Sequence, residues 1–198
     1  IIGVSIHRDY KSDMHTILYS YPFTKANYLF AKFFSGIIVV TMIVLVIGFG
    51  LVLGFNMPGT NQDIVGPFDI QSYLHAYLVY ILPNVLLFGA IVFAVVTFTR
   101  NIAAGFITVI LLMLAQGLLE SLLSDPDNRY LSALLDPFGS SAQNYYTRYW
   151  TVAEQNELHL PLKEVIVYNR FLWLGVASLI FGIVFKLFSF SQNALSFS

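Results

Sequence analysis

The chain has 198 residues, of which 57% are hydrophobic and only 11% are charged, whereas a soluble domain is about 25% charged. This composition predicts an integral membrane protein. The net charge of −1 gives no bulk basic signal for nucleic acid. The absence of cysteine excludes disulfides, thiolate metal sites and a cysteine nucleophile from these residues.

The chain opens with the apolar residues 1–6, which are typical of the end of a membrane span. Because the first residue is isoleucine rather than methionine, we expect the chain to be a fragment of a longer protein. We treat residues 1–198 as a single transmembrane domain.

A polar, charged run follows at residues 7–32. In a helix that begins at Arg8, the apolar residues fall at positions i, i+4, i+7, i+8 and i+11, counted from Tyr10. They form a single stripe at helical period. Pro22 is predicted to end this helix, and Thr24 is a candidate N-cap for the next one. From the residues alone, the run is also explained as an interfacial loop whose cations meet lipid headgroups. The stripe comprises Tyr10, Met14, Ile17, Leu18 and Tyr21, and the polar face comprises Arg8, Asp9, Lys11, Ser12, Asp13, His15 and Thr16.

Four apolar runs are long enough to cross a bilayer, at residues 33–55, 74–99, 102–123 and 171–190. A helix needs about 20 apolar residues to span a hydrocarbon core of roughly 30 Å. The runs lack the alternation of barrel strands, so we expect helices. Pro83 is predicted to kink the second span, and Gly50 and Gly54, with Gly48, suggest a small-residue face for close helix contact.

The connections between these runs differ in length and polarity. Residues 99–101 predict a tight turn, whereas residues 124–169 are long enough to hold two or three short helices. Asp125-Pro126 fits an N-cap followed by proline, and Thr151 with Glu154 fits a capping box.

Charge predicts the orientation through the positive-inside rule. The 56–72 connection has no lysine or arginine, whereas Arg100 sits in its short turn. We therefore expect residues 7–32 and Arg100 in the cytoplasm, and the 56–72 and 124–169 connections outside. The cations then on the inner side are Arg8, Lys11, Lys25, Lys32, Arg100 and Lys186, against Arg129, Arg148, Lys163 and Arg170 outside.

Three polar residues within the spans are candidate functional groups: Asn84, Gln116 and Glu120. Glu120 follows Gln116 by one turn on the same helix face. An intramembrane ionisable residue is a functional hypothesis by default, but Glu120 lies near a span end, which favours a structural or interfacial role.

The sequence contains no recognisable catalytic, cofactor or metal motif. It has no Gly-x-Ser-x-Gly, no Walker-type loop and no His-Glu-x-x-His. We therefore assign no catalytic residue, no cofactor and no metal ligand, and expect a protein that is not itself an enzyme. An ion channel is disfavoured because no span carries a ring-forming set of charges.

Two sets of residues resemble the type-2 ABC transporter permeases. In the opening run they are Arg8-Asp9, then Ser20-Tyr21-Pro22-Phe23-Thr24-Lys25, Tyr28-Leu29 and Lys32. In the later part they are Asp136-Pro137-Phe138-Gly139, Tyr149-Trp150-Thr151 with Glu154 and Asn156, and Asn169-Arg170-Phe171-Leu172-Trp173. This second set is similar to a bacterial subgroup that is often fused to a zinc aminopeptidase-like domain. The family has six spans per permease, whereas the sequence predicts four and the end of another.

The resemblance implies an all-α polytopic transmembrane bundle with an amphipathic cytoplasmic coupling helix and short helices in an outer loop. It implies the permease subunit of an ATP-driven exporter in the bacterial inner membrane, which pairs with a second permease copy and binds cytoplasmic ABC ATPase subunits. The alternative is a membrane anchor for a fused or associated metallo-aminopeptidase. By this resemblance, the residues of the coupling helix expected to contact the ATPase are Arg8, Tyr10, Lys11, Met14, Ile17 and Leu18.

Overall fold

The structure is a computed structural model that describes residues 1–14, 22, 24–59, 68–123 and 125–189, with the side chains of residues 120, 126 and 156 outside the description. All regular secondary structure in these residues is helical, which confirms the all-α prediction. The α-helices, in chain order, are α1 (Val4–Lys11), α2 (Lys25–Phe55), α3 (Ile70–Thr99), α4 (Ile102–Leu122), α5 (Arg129–Leu135), α6 (Ser140–Thr147), α7 (Val152–Glu157) and α8 (Glu164–Leu187).

Four of these helices, α2, α3, α4 and α8, are long and apolar enough to cross a membrane. They coincide with the four predicted runs, but three begin earlier than the apolar residues do. A helix continues through polar turns until a cap ends it, whereas the predicted runs contain the apolar positions only. The 31 residues of α2 measure about 46 Å, so its first turns extend beyond a hydrocarbon core of roughly 30 Å.

Local capping signals in the sequence are confirmed. The Thr24 hydroxyl accepts a hydrogen bond from the Asn27 N–H at 3.2 Å at the start of α2. Thr151 and Glu154 form the predicted capping box of α7. Asp125 caps a 3₁₀ turn over Pro126–Asn128. Each cap satisfies N–H groups that the first helical turn leaves unpaired.

The irregularity predicted at Pro83 takes the form of a π-helical segment inside α3. Residues Ala76–Ile81 have π-helical hydrogen bonding, and regular α-helix resumes at Leu82, one residue before the proline. Proline has no N–H to donate to the preceding turn, so the helix widens there.

The core of the bundle is the seam between α3 and α8, to which α1 and α2 add their apolar faces. Phe33 of α2 lies 4.8 Å from Phe181 of α8 and 5.3 Å from Phe93 of α3, measured between ring centroids. Ile6 of α1 is fully buried in the same cluster. A second, smaller cluster packs α5 and α6 against the beginning of α8 around Ile166.

Close helix approach occurs at one of the predicted glycines and at two others. A Cβ added at Gly48 would collide with the Tyr77 hydroxyl of α3, which confirms a close contact at this member of the predicted set, whereas one at Gly50 or Gly54 would meet no atom of the described residues within 4 Å. A Cβ at Gly36 would instead lie 2.8 Å from the Ile2 Cα, and one at Gly89 would lie 2.7 Å from the Ile37 Cδ1. The segment before α1 therefore packs directly onto α2 and α3.

We predict that Gly36→Ala destabilises the bundle, because its methyl group collides with the Ile2 backbone. Overpacking of this kind costs about 1–3 kcal/mol. Gly50→Ala in the same helix is the matched control and is expected to be neutral or slightly stabilising, since alanine favours helix. Thermal unfolding in detergent measures both variants. Equal unfolding temperatures would contradict this packing.

Candidate functional site

The first candidate site lies at the end of the bundle where α1 meets the start of α2 and the α3–α4 turn. We call it the α1 clamp, and it consists of His7, Asp9, Tyr10, Tyr28, Lys32 and Arg100. Asp9 is buried, with 6% of the residue exposed, and its carboxylate pairs with the Lys32 Nζ at 2.7 Å. The Tyr28 hydroxyl donates to the same carboxylate at 2.9 Å. A buried carboxylate is stable only with such partners, so this contact fixes α1 onto α2.

The clamp also joins α1 to the turn between α3 and α4. His7 Nδ1 lies 2.8 Å from the Arg100 carbonyl oxygen, and the Arg100 guanidinium stacks over the Tyr10 ring at 4.0 Å. Arg100 has a left-handed φ of 55°, which lets the chain reverse within the short connection predicted from the sequence. One short helix therefore touches both helix α2 and the α3–α4 turn.

The helix predicted in the opening run has different ends in the structure. Helix α1 begins at Val4 rather than Arg8 and ends at Lys11, and Asp13 has a φ of 53°. Tyr10 and Met14 therefore do not lie one turn apart on a continuous helix. Ser12 bonds back to the Arg8 carbonyl at 2.7 Å, and serine and aspartate favour helix ends in this way.

The surroundings of the coupling candidates differ from one residue to the next. Tyr10 packs inside the clamp, and Asp9, which the pattern placed on the polar face, is buried. Arg8, Lys11 and Met14 are exposed. Ile17 and Leu18, with the rest of residues 15–21, lie outside the described residues.

The second candidate site is a buried polar cluster at the opposite end, beside the short helices. We call it the polar hub, and it consists of Asn84, Gln116, Asp136, Asn169 and Arg170. The Asp136 side chain is 1% exposed and accepts from Gln116 Nε2 at 2.9 Å and the Phe138 N–H at 2.8 Å through Oδ1. Its Oδ2 accepts from the Ser140 hydroxyl and the Ser141 N–H. This carboxylate thus fastens the start of α6 to α4.

Asn169 and Arg170 carry the hub from the short helices to α3. The Asn169 amide donates to the carbonyl oxygens of Ala133 at 2.7 Å and Asp136 at 2.8 Å, at the end of α5. Its carbonyl oxygen accepts from Arg170 Nε at 2.8 Å, and Arg170 Nη1 donates to the Asn84 carbonyl oxygen at 3.0 Å. Asn84 Nδ2 in turn donates to the Phe138 carbonyl at 3.0 Å. The guanidinium is thereby met by amide oxygens from two helices.

Glycine is required at position 139, where the Arg170 guanidinium of the hub lies close to the backbone. The φ of Gly139 is 84°, and an added Cβ would collide with Arg170 Nη2. A left-handed φ combined with such close approach is tolerated by glycine alone. The Asp136–Gly139 segment singled out in the sequence is thus a tight turn wrapped around a buried arginine.

The hub includes two of the three intramembrane polar candidates, Asn84 and Gln116. The Glu120 side chain lies outside the description. Asp136, Asn169 and Arg170 were not among the candidates predicted within the spans, because they lie outside or at the margins of the apolar runs. Among the described residues, no group of three or more His, Asp or Glu side chains is arranged to hold a metal.

We predict that Asp136→Asn destabilises the protein, because an amide nitrogen would face N–H and O–H donors in place of an acceptor. Leaving buried donors unpaired costs about 1–3 kcal/mol. Asp127→Asn, which alters an exposed carboxylate in the same loop, is the matched control. Thermal unfolding and limited proteolysis of the two variants provide the measurement, and equal stability would argue against the hub.

Comparisons with known proteins place this architecture in a family. The model described as "ABC-2 family transporter protein" matches residues 1–151, which include α1 to α6 and the contacts of the clamp. Comparisons with curated proteins and with solved structures give no significant match. The match covers most of the chain, and the four membrane-spanning helices agree with it. The chain belongs to the ABC-2 family of transporter proteins and is a multi-pass permease component.

Proposed function

We propose that this permease is the membrane-spanning subunit of an ATP-driven exporter in the bacterial inner membrane and works as a dimer with two cytoplasmic ABC ATPases. The chain has no Walker-type loop of its own, so ATP hydrolysis belongs to the partner. The observation that carries the proposal is the α1 clamp. It joins a surface helix at one end of the bundle to helix α2 and to the turn between α3 and α4.

The exposed side of the clamp region offers a surface for the ATPase. Arg8, Lys11 and Met14 point away from the core, whereas Ile6 and Asp9 point into it. Apolar anchors generally carry most of the binding energy at an interface, and rim charges influence the rate of association. We therefore assign contact with the ATPase to Arg8, Lys11 and Met14. We retain Ile17 and Leu18 as further contacts from the sequence.

The buried side of the clamp is suited to transmit motion. Any displacement of α1 must pull on Lys32 of α2 and on Arg100 in the α3–α4 turn, because both are bonded to it. Packed helices shift as rigid bodies between discrete arrangements. In this mechanism Tyr10 and Asp9 act as transmitting residues, and the permease performs no chemistry.

The positions of the cations support the proposed orientation. Lys32 and Arg100 contact α1, and Lys25 Nζ donates to the Lys186 carbonyl at 3.2 Å. The six cations assigned to the cytoplasmic side thus lie at the same end of the bundle, as the positive-inside rule requires. The anchor for a metallo-aminopeptidase is the alternative, and loss of ATPase binding or of its stimulation in the variants below would count against it.

Cysteine labelling tests the orientation, since these residues contain no native cysteine. We predict that Glu157→Cys in α7 reacts with a membrane-impermeant maleimide added to intact cells. We predict that Ser12→Cys reacts only after the membrane is opened. Both positions are exposed in the structure, so access depends on sidedness alone. The reverse pattern would overturn the orientation.

Two classes of variant test the coupling. The triple variant Arg8→Ala, Lys11→Ala, Met14→Ala alters the exposed face and is expected to reduce co-purification of the ATPase. Asp9→Asn weakens the buried pair, and it is expected to retain the ATPase but to lose the permease-dependent stimulation of ATP hydrolysis. Removing one partner of a buried pair costs several kcal/mol, so folded yield is measured alongside.

Lys163→Ala, which removes an exposed cation at the opposite end, is the control for charge loss. It should leave both readouts unchanged. Wild-type binding and stimulation in the triple variant and in a folded Asp9→Asn variant would refute the coupling role and favour the lipid-bound interpretation of the opening run.

A further inference from the structure

A cleft of about 640 Å³ lies between the beginning of α3, the helix α6, and α7 with the segment that follows it. It is separate from both the clamp and the hub. We call it the amide cleft, and its polar lining consists of Gln71, Ser72, His75, Gln143, Asn144, Thr147, Gln155 and His159. The volume falls within the range of about 300–1,000 Å³ that is typical of small-molecule sites.

Among the described residues, the lining of the amide cleft contains no lysine, arginine, aspartate or glutamate. A cleft of about 680 Å³ on the other side of α6 is lined instead by Asp127, Arg129 and Arg148, among others. An ionic ligand in the amide cleft would lose hydration without gaining an opposite charge from the lining, which is costly. The amide cleft is therefore suited to a neutral ligand.

The lining offers unused hydrogen-bonding capacity. His75 Nε2 is buried and has no hydrogen-bond partner among the described residues. A buried polar atom without a partner carries a cost that a ligand can remove. The side-chain amides of Gln71 and Gln143 are free of hydrogen bonds to the described part of the chain, and each supplies both donors and an acceptor.

Apolar surface completes the lining. Trp150 and Leu160 border the cleft, and both are half-buried. An indole ring offers a rigid apolar face. Flat C–H surfaces flanked by hydroxyl groups that both donate and accept hydrogen bonds are characteristic of a sugar ring. We propose that the amide cleft binds a neutral, hydroxyl-rich ligand of the saccharide class.

The cleft has fixed walls. Asp69 caps the start of α3 through the N–H groups of Gln71 and Ser72, and His159 Nδ1 lies 3.5 Å from its carboxylate. Hydrogen bonds from the Ser72 hydroxyl and N–H lower the pKa of the Asp69 carboxyl. Hydrogen bonds from the Thr151 N–H and hydroxyl likewise lower the pKa of Glu154, which holds α7. Two helix starts are thereby held at the rim before any ligand arrives.

Calorimetric titration of the purified protein in detergent tests the proposal, with maltose, cellobiose and lactose as probes. We expect saturable binding of at least one of them. His75→Leu and Gln143→Leu each remove a hydrogen-bonding group, and together they should weaken binding by about tenfold or more. Because neither side chain bonds to the described residues, the unfolding temperature should stay near that of the parent.

Ser132→Ala, which alters the charged cleft across α6, is the matched control and should leave binding unchanged. Digalacturonate, an anionic sugar, should bind much more weakly than the neutral disaccharides. Failure of all three neutral probes, equal binding in the double variant, or stronger binding of N-acetyl-triglycine amide would each overturn the saccharide assignment. The assay contains no ATPase, so its outcome is independent of the coupling proposal.

Discussion

The packing of α8 against α3 is the contact on which the rest of the molecule depends. Phe93 and Phe181 lie along this seam, and α2 closes it through Phe33. In lipid there is little hydrophobic drive between helices, so close fit and polar contacts hold them together. The seam is supported at its two ends by different means. Phe188, at the end of α8, stacks on Tyr28 of the clamp, and Arg170 reaches α3 at the hub.

The clamp and the hub serve different purposes because their polar contacts connect different parts of the chain. The hub buries a carboxylate and a guanidinium that meet neutral amides and N–H groups, many on the same few turns of chain. Such a network fixes a shape, since every removed partner leaves an unpaired buried group. The clamp instead joins two separate segments, α2 and the α3–α4 turn, through one short helix, with Arg8 and Lys11 still exposed beside it. That arrangement suits the transmission of movement.

Helix α4 is the least supported of the four spans, with 6% of its apolar window buried inside the described chain. It contacts α3, and the hydrogen bond from Gln116 to Asp136 ties it to the hub. Its large apolar side chains face outward, including Phe106, Met113 and Leu118. Lipid or a second permease copy would cover this face, which agrees with the proposed dimer.

Features that depend on composition and near neighbours can be read from the amino-acid sequence. These are the membrane class, the four spans, the N-cap at Thr24 and the capping box at Thr151, because caps and apolar runs are local. Only the tertiary structure decided which polar residues meet. Gln116 forms a hydrogen bond with Asp136, and Asn84 forms one with Arg170, 86 positions away. No pattern of spacing in the sequence encodes such pairs. The tertiary structure also decided where α1 ends: the stripe through Tyr10 and Met14 predicted a continuing helix, but burial of Asp9 against Lys32 and stacking of Tyr10 on Arg100 hold a short helix whose polar end breaks at Ser12. Tertiary contacts outweigh helix propensity in a segment this short, because a few isolated turns are only marginally stable.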